Sequence, residues 1–104
     1  MKIVFIDKKV ENFIWTLEKT TIAKVLRTID LLEIFGNRLS MPHSRYVFEN
    51  LFELRIRGTQ EIRLFYTFYN AQAIILHGFI KKSFKLPNKE INKAKEKMKR
   101  LAPL

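Results

Sequence analysis

Three arginines and a short lysine cluster carry the strongest chemical signal in this chain. Arg55 and Arg57 alternate with Leu54 and Ile56, and Arg63 stands between Ile62 and Leu64. A period of two is the mark of a half-buried strand, so Arg55 and Arg57 share a polar face. The short turn Gly58-Thr59-Gln60 makes the strand carrying Arg63 a hairpin neighbour. Lys81, Lys82 and Lys85 follow directly from a third apolar run, Ala73 to Ile80. The expectation is one sheet face with concentrated positive charge. Arginine stays charged and binds phosphate through two parallel donors. Like charges this close repel by a few tenths to about 1 kcal/mol per cross-strand pair. Only Glu53 and Glu61 are near enough in sequence to offset them. A phosphate-binding surface explains the pattern, because the ligand supplies the missing countercharge. The alternative is that the arginines lie across a sheet edge and pair with Glu49, Glu53 and Glu61.

The whole chain repeats this bias. Its 104 residues contain 20 Lys plus Arg against 10 Asp plus Glu, a net charge of +10. That balance points to a polyanionic partner, either nucleic acid or an anionic membrane surface. Residues 81–100 hold nine of the cations, Lys89 among them, and two glutamates. For Lys95 to Arg100 a solvated helix face is the simpler explanation, with Glu96 and Arg100 as an ordinary helix pair. A membrane-surface helix would also need aromatic anchors. The last helix offers only Ile91, Ala94, Met98 and Leu101, a stripe suited to docking on a sheet. No apolar run approaches the length of about 18 residues that a span requires. The start, Met1 to Asp7, is too short an apolar stretch for a signal peptide. Cysteine is absent, which excludes disulfides and thiol chemistry and fits a reducing cytoplasm. Two histidines, His43 and His77, lie too far apart in sequence to suggest a zinc set. Glu53-x-Arg55 resembles a Glu-x-Lys nuclease signature only faintly, since no Asp-rich partner precedes it. No metal and no cofactor is expected, and His43 has no assigned role.

These residues must be positioned by one domain spanning residues 1–104, since the length suits a single core and 47% of residues are apolar. Residues 2–6 are β-prone. Asp7 can cap a helix whose stripe is Val10, Phe13, Ile14 and Leu17. Thr20-Thr21 offers a second cap, and Ile22, Val25, Leu26, Ile29, Leu32 and Phe35 form a second stripe that Gly36-Asn37 ends. Residues 37–50 read as a loop. Three strands follow, over Phe52 to Arg57, Ile62 to Tyr69 and Ala73 to Ile80, the last apolar on both faces and so central. Pro87 opens the final basic helix. The predicted order is β-α-α-β-β-β-α, an α+β domain in which a helical hairpin packs on an antiparallel sheet. Trp15 falls off its helix stripe, where it covers the hairpin edge or meets a partner.

Four segments in series carry a family resemblance: Leu51-Phe52-Glu53-Leu54-Arg55-Ile56-Arg57, Ile62-Arg63-Leu64-Phe65-Tyr66, Leu76-His77-Gly78-Phe79-Ile80-Lys81-Lys82-Ser83, and Leu86-Pro87-Asn88-Lys89-Glu90-Ile91. In combination they resemble the phage-derived, HigB-like branch of the RelE/ParE toxin superfamily. The resemblance implies a RelE-like fold and the toxin of a type II toxin–antitoxin pair. It further implies a ribosome-dependent mRNA endonuclease that inhibits translation in the cytoplasm. The implied partners are the ribosome, mRNA and a cognate antitoxin of helix-turn-helix type, with a toxin–antitoxin hetero-oligomer on operator DNA. The alternatives are a ParE-like gyrase inhibitor that cuts nothing, or a basic RNA-binding module.

Metal-free RNA cleavage needs the 2′-hydroxyl activated, the phosphate charge neutralised and the 5′-oxygen protonated. The expected catalytic set is Arg57 and Arg63 as phosphate clamps, Lys82 as added charge or acid–base group, and His77 as proton carrier. Arg55, Lys81, Lys85 and Lys89 are expected to bind RNA. For His77 the alternative is a half-buried core residue. Tyr66 and Phe79 either stack on bases or pack in the core.

Overall fold

The protein is described by a computed structural model covering residues 1–101. Asp7 starts the first helix by accepting the Val10 N–H at 3.0 Å, as a helix N-cap does. Strand β1 (Lys2–Phe5) precedes it, and helices α1 (Lys8–Trp15) and α2 (Lys19–Phe35) form the expected hairpin. Val10, Ile14 and Leu17 are buried on the foreseen stripe. The α2 stripe is rotated from the expected one. Thr21, Val25, Thr28 and Leu32 face inward, whereas Leu26 and Phe35 are exposed. Thr28 is tolerated inside because its hydroxyl donates to the Lys24 carbonyl at 2.9 Å. The helix begins one residue before Thr20-Thr21, with Glu18 at the cap position. Gly36, at φ +55°, closes it as expected.

The segment expected as a loop holds a fourth meander strand. Strand β2 (Ser44–Phe48) pairs antiparallel with β3 (Leu51–Ile56), followed by β4 (Ile62–Tyr69) and β5 (Gln72–Ile80). The observed order is therefore β-α-α-β-β-β-β-α. Strand β2 is short, and a register shift between Tyr46 and Phe48 breaks its alternation, which hid it behind Pro42, Ser40 and Asn37. Two tight turns with paired positive φ angles, Glu49-Asn50 and Asn70-Ala71, join the hairpins. The five-stranded sheet runs β1-β5-β4-β3-β2. It is mixed and not wholly antiparallel, because β1 lies parallel to β5. The α+β class and the helical hairpin stand as expected.

Both faces of the sheet are covered. The hairpin packs over Leu54, Ile56, Ile62, Leu64, Tyr66 and Ile75. Helix α3 (Asn88–Met98) packs over Leu51, Phe65, Ile74 and Leu76 through Ala94, Ile91 and Met98. This second layer buries Phe65, which lies two residues along β4 from Arg63. Gly78 permits the hairpin's approach, since a Cβ there would lie 2.7 Å from Phe13 and from Leu64. No helix among the described residues is long and apolar enough to cross a membrane.

Candidate functional site

Helix α3 leaves one end of its sheet face open, and the arginines stand there. Arg55 and Arg63 are direct cross-strand partners, and Arg63 is in turn opposite Phe79 on β5. Arg55, Arg57, Arg63, Lys81 and Lys82 all line one cleft of about 430 Å³. The structure thus gathers residues that sequence spacing could only assign to neighbouring strands.

The floor of this cleft is an ion-paired hub. Glu53 is 1% exposed, and its carboxylate lies 3.1 Å from Arg45 Nε, 3.8 Å from Arg55 Nε and 3.7 Å from Arg63 Nε. One carboxylate is therefore shared by three guanidinium groups. The alternative pairing with glutamates is partly realised here and at Arg57, which lies 3.4 Å from Glu61. Glu49 forms no ion pair among the described residues. Glu53 Oε2, Arg55 Nε, Arg63 Nε and Glu61 Oε2 are buried atoms with no hydrogen-bond partner among the described residues. Unsatisfied buried polar atoms each cost about 1–3 kcal/mol. Three of these atoms, Glu53 Oε2, Arg55 Nε and Arg63 Nε, belong to the Glu53 ion pairs, whose 3.7–3.8 Å separations are longer than a hydrogen bond.

Arg63 departs from its expected placement. It is 3% exposed, so it forms the cleft floor and does not project as a free clamp. One guanidinium nitrogen, Nη1, donates to the Ile62 carbonyl at 3.0 Å. Burial pushes the Arg63 guanidinium down from its ordinary value, and Glu53 pulls it back up. Arg57 and Lys82 are the exposed cations of the cleft. Lys81 is half-buried; its ammonium donates to the carbonyls of Ser83 and, at 3.0 Å, Phe84. Lys81 therefore braces the loop that walls the cleft.

His77, Lys85 and Lys89 do not line this cleft. His77 was expected beside the arginines, but α3 holds it elsewhere. Its Nε2 lies 2.6 Å from Glu90 Oε1, and its ring stacks on Phe79 at 6.0 Å between centroids. Burial lowers its pKa, although Glu90 pulls the other way. It faces a second space of about 340 Å³ between α1, β5 and α3. Lys85 lies on the exposed loop before α3, and Lys89 is exposed in the first turn of α3. Tyr66 and Phe79 are core residues, 1% and 6% exposed, and the Tyr66 hydroxyl pairs with Ser44 Oγ at 2.5 Å.

The distal basic residues have structural partners. Lys97 and Arg100 clamp Asp7 at 3.3 and 3.0 Å, which ties α3 to the start of α1. Lys95 sits 4.5 Å above the Phe48 ring, and Lys99 pairs with Glu96. Sequence reasoning missed Arg45, because its strand was hidden. It also left His43 without a place. The His43 carbonyl accepts the Arg55 N–H at 2.8 Å. His43 shares a flanking groove with Lys24, Arg27, Arg55 and Arg57, so positive charge continues around the rim. Lys24 and Arg27 come from α2, far from the strands in sequence. Among the described residues no three His, Asp or Glu side chains group as a metal-binding set.

Fold and cleft together define a small α+β protein with a cationic groove at the uncovered end of its sheet. Comparison with protein families refines that class. A profile of the phage-derived protein Gp49-like family (DUF891) matches residues 12–99, from α1 to the end of α3. The chain belongs to this family, a toxin-like family of the type II toxin–antitoxin kind, and membership implies an antitoxin partner. A search of curated proteins returns no match.

Proposed function

We propose that this chain is a toxin of RelE/ParE type that cuts mRNA on the ribosome without a metal ion or cofactor. The observation that carries this reading is the cleft above Glu53, where Arg55, Arg57, Arg63, Lys81 and Lys82 line one uncovered sheet end. Phosphate contacts dominate nucleic-acid affinity, and a cleft of this charge suits a bent RNA backbone. Arg57 is the exposed phosphate clamp, with Arg55 and Arg63 holding charge beneath it. These donors would stabilise the negative charge that builds on phosphorus as the 2′-oxygen attacks. Lys82 is the proton-transfer candidate at the rim. His77 has no part in this scheme, because Glu90 and α3 hold it in the other space. A helix-turn-helix antitoxin would neutralise the protein, in a hetero-oligomer able to sit on operator DNA, and action on the ribosome places the toxin in the cytoplasm.

One observation favours a binding-only reading as the second choice. The one carboxylate that lines the cleft, Glu61, is paired with Arg57, and Glu53 beneath it is shared by three arginines. A gyrase inhibitor or an RNA-binding module needs no general base. Brief induction without antitoxin, followed by mapping of RNA 5′ ends, separates the readings. The expected result is arrested growth with new ends inside translated messages. Arg57→Ala should lower cutting roughly 100- to 1000-fold, the usual cost of a lost transition-state donor. Its exposed position leaves the fold intact. DNA breaks with intact messages would overturn the endonuclease reading in favour of the gyrase one.

A further inference from the structure

Phe84 is the one fully exposed large apolar side chain among the described residues; the next, Ile34, is 66% exposed. It lies on the loop between β5 and α3, on the wall of the arginine cleft. An aromatic ring left wholly in water gains nothing from folding. The loop is nevertheless built to hold it out. Lys81 Nζ donates to the Ser83 and Phe84 carbonyls, and Ser83 Oγ donates to the Lys85 carbonyl at 3.0 Å. These three bonds fix the backbone on both sides of the ring. An apolar ring beside a track of guanidinium groups matches the two surfaces of single-stranded nucleic acid, a stacking base and a charged backbone. None of the other exposed large apolar residues, Trp15, Ile34, Met41 and Tyr46 among them, lines this cleft.

We infer that Phe84 is a stacking platform for an unpaired RNA base, and that it selects single-stranded over duplex RNA at this cleft. The inference rests on the reading of the cleft as an RNA site. Stacking requires a base free of its pairing partner, while the arginines recognise only phosphate and so accept any strand. Phe84 is thus a substrate-positioning residue, distinct from the phosphate clamp.

The test measures binding of the full chain to a short oligoadenylate and to an abasic ribose-phosphate oligomer of equal length and charge. Phe84→Ala should weaken oligoadenylate binding roughly 5- to 150-fold, the range for loss of one stacked base. Binding to the abasic oligomer and the salt dependence on both should be unchanged. Phe84→Tyr should keep the wild-type preference for bases. Full exposure of the ring means that folding is not at issue, and an unchanged melting temperature verifies this. Equal binding by Phe84→Ala and wild type, or an equal loss on both oligomers, overturns the assignment. Arg57→Ala should weaken both oligomers alike. If it does so while Phe84→Ala has no effect, the RNA cleft stands and only the role of Phe84 falls. If wild type binds neither oligomer, the RNA reading fails and takes the inference with it. Loss of antitoxin binding alone in Phe84→Ala would show that the ring meets protein, which also overturns it.

Discussion

Replacing Glu53 with glutamine removes one negative charge from beneath three guanidinium groups while keeping the side chain's shape. Arg45 is exposed and its cation stays solvated without the carboxylate. Arg63 is 3% exposed and has Glu53 as its ion-pair partner at 3.7 Å. Breaking a buried ion pair by removing one partner costs about 3–5 kcal/mol, because the other charge is left uncompensated. The separations from Glu53 to Arg55 and Arg63 exceed hydrogen-bonding length, so the lower end, about 3 kcal/mol, is expected. That is a large share of the roughly 5–15 kcal/mol that holds a domain folded. For a chain of this size it corresponds to a fall of roughly 12–24 °C in melting temperature. The cleft of Glu53→Gln also carries one more uncompensated positive charge. Inorganic phosphate should therefore stabilise the variant more than wild type, in proportion to its tighter binding to the folded state. Thermal and urea unfolding at neutral pH, with and without phosphate, measure both effects. A variant melting within about 2 °C of wild type would refute the role of Glu53 as counter-ion of the cleft floor. So would an identical phosphate shift in the two proteins.

Three further outcomes follow from the same geometry. Burial holds the His77 pKa below its ordinary 6.5 despite Glu90; the folded protein then binds fewer protons there than the unfolded chain. His77 should contribute full stability above pH 6.5 and lose it as pH falls below that value, and His77→Gln should flatten this acid-side slope in urea unfolding. Stability that rises on acidification in that window would mean that the Glu90 pair outweighs burial. Gly78→Ala should cost about 1–3 kcal/mol in the same assay, since the new methyl meets Phe13 and Leu64 at 2.7 Å. Lys82→Ala should reduce the slope of log affinity for RNA against log salt by about one unit, and Lys99→Ala, paired with Glu96 on the far helix, should leave it unchanged; equal effects would move the binding surface onto α3.

Local rules made most of the fold legible. Asp7 capping, the Val10–Ile14 stripe and Gly36 all act within a few residues of themselves, and each is where its spacing placed it. Strand β2 was not legible, because its pairing with β3, and not its own short interrupted pattern, makes it a strand. The parallel join of β1 to β5 is likewise a long-range choice between edges. The orientation of α2 was misjudged for a similar reason. Thr21 and Thr28 look polar in sequence, yet they are small enough to sit against the sheet once Thr28 bonds to its own helix.

For the candidate site, residue types and alternation by themselves put Arg55 and Arg57 on one polar strand face, Arg63 on the neighbouring strand, and Lys81 and Lys82 at the end of a third. Tertiary structure alone decided where each of them sits and what it pairs with. Alternation tells which residues share a face but not whether that face is covered, and α3 covers part of it. Covering placed Arg63 on the floor over Glu53, brought Arg45 to the same carboxylate from a hidden strand, and took His77 away to Glu90. It stopped short of the strand ends, which left Arg57, Lys82 and Phe84 at the open rim. Burial depends on which distant segments pack over a residue, and a counter-ion's position depends on strand register. Neither quantity is a property of the neighbouring sequence, and together they separate the buried Arg63 from the exposed Arg57.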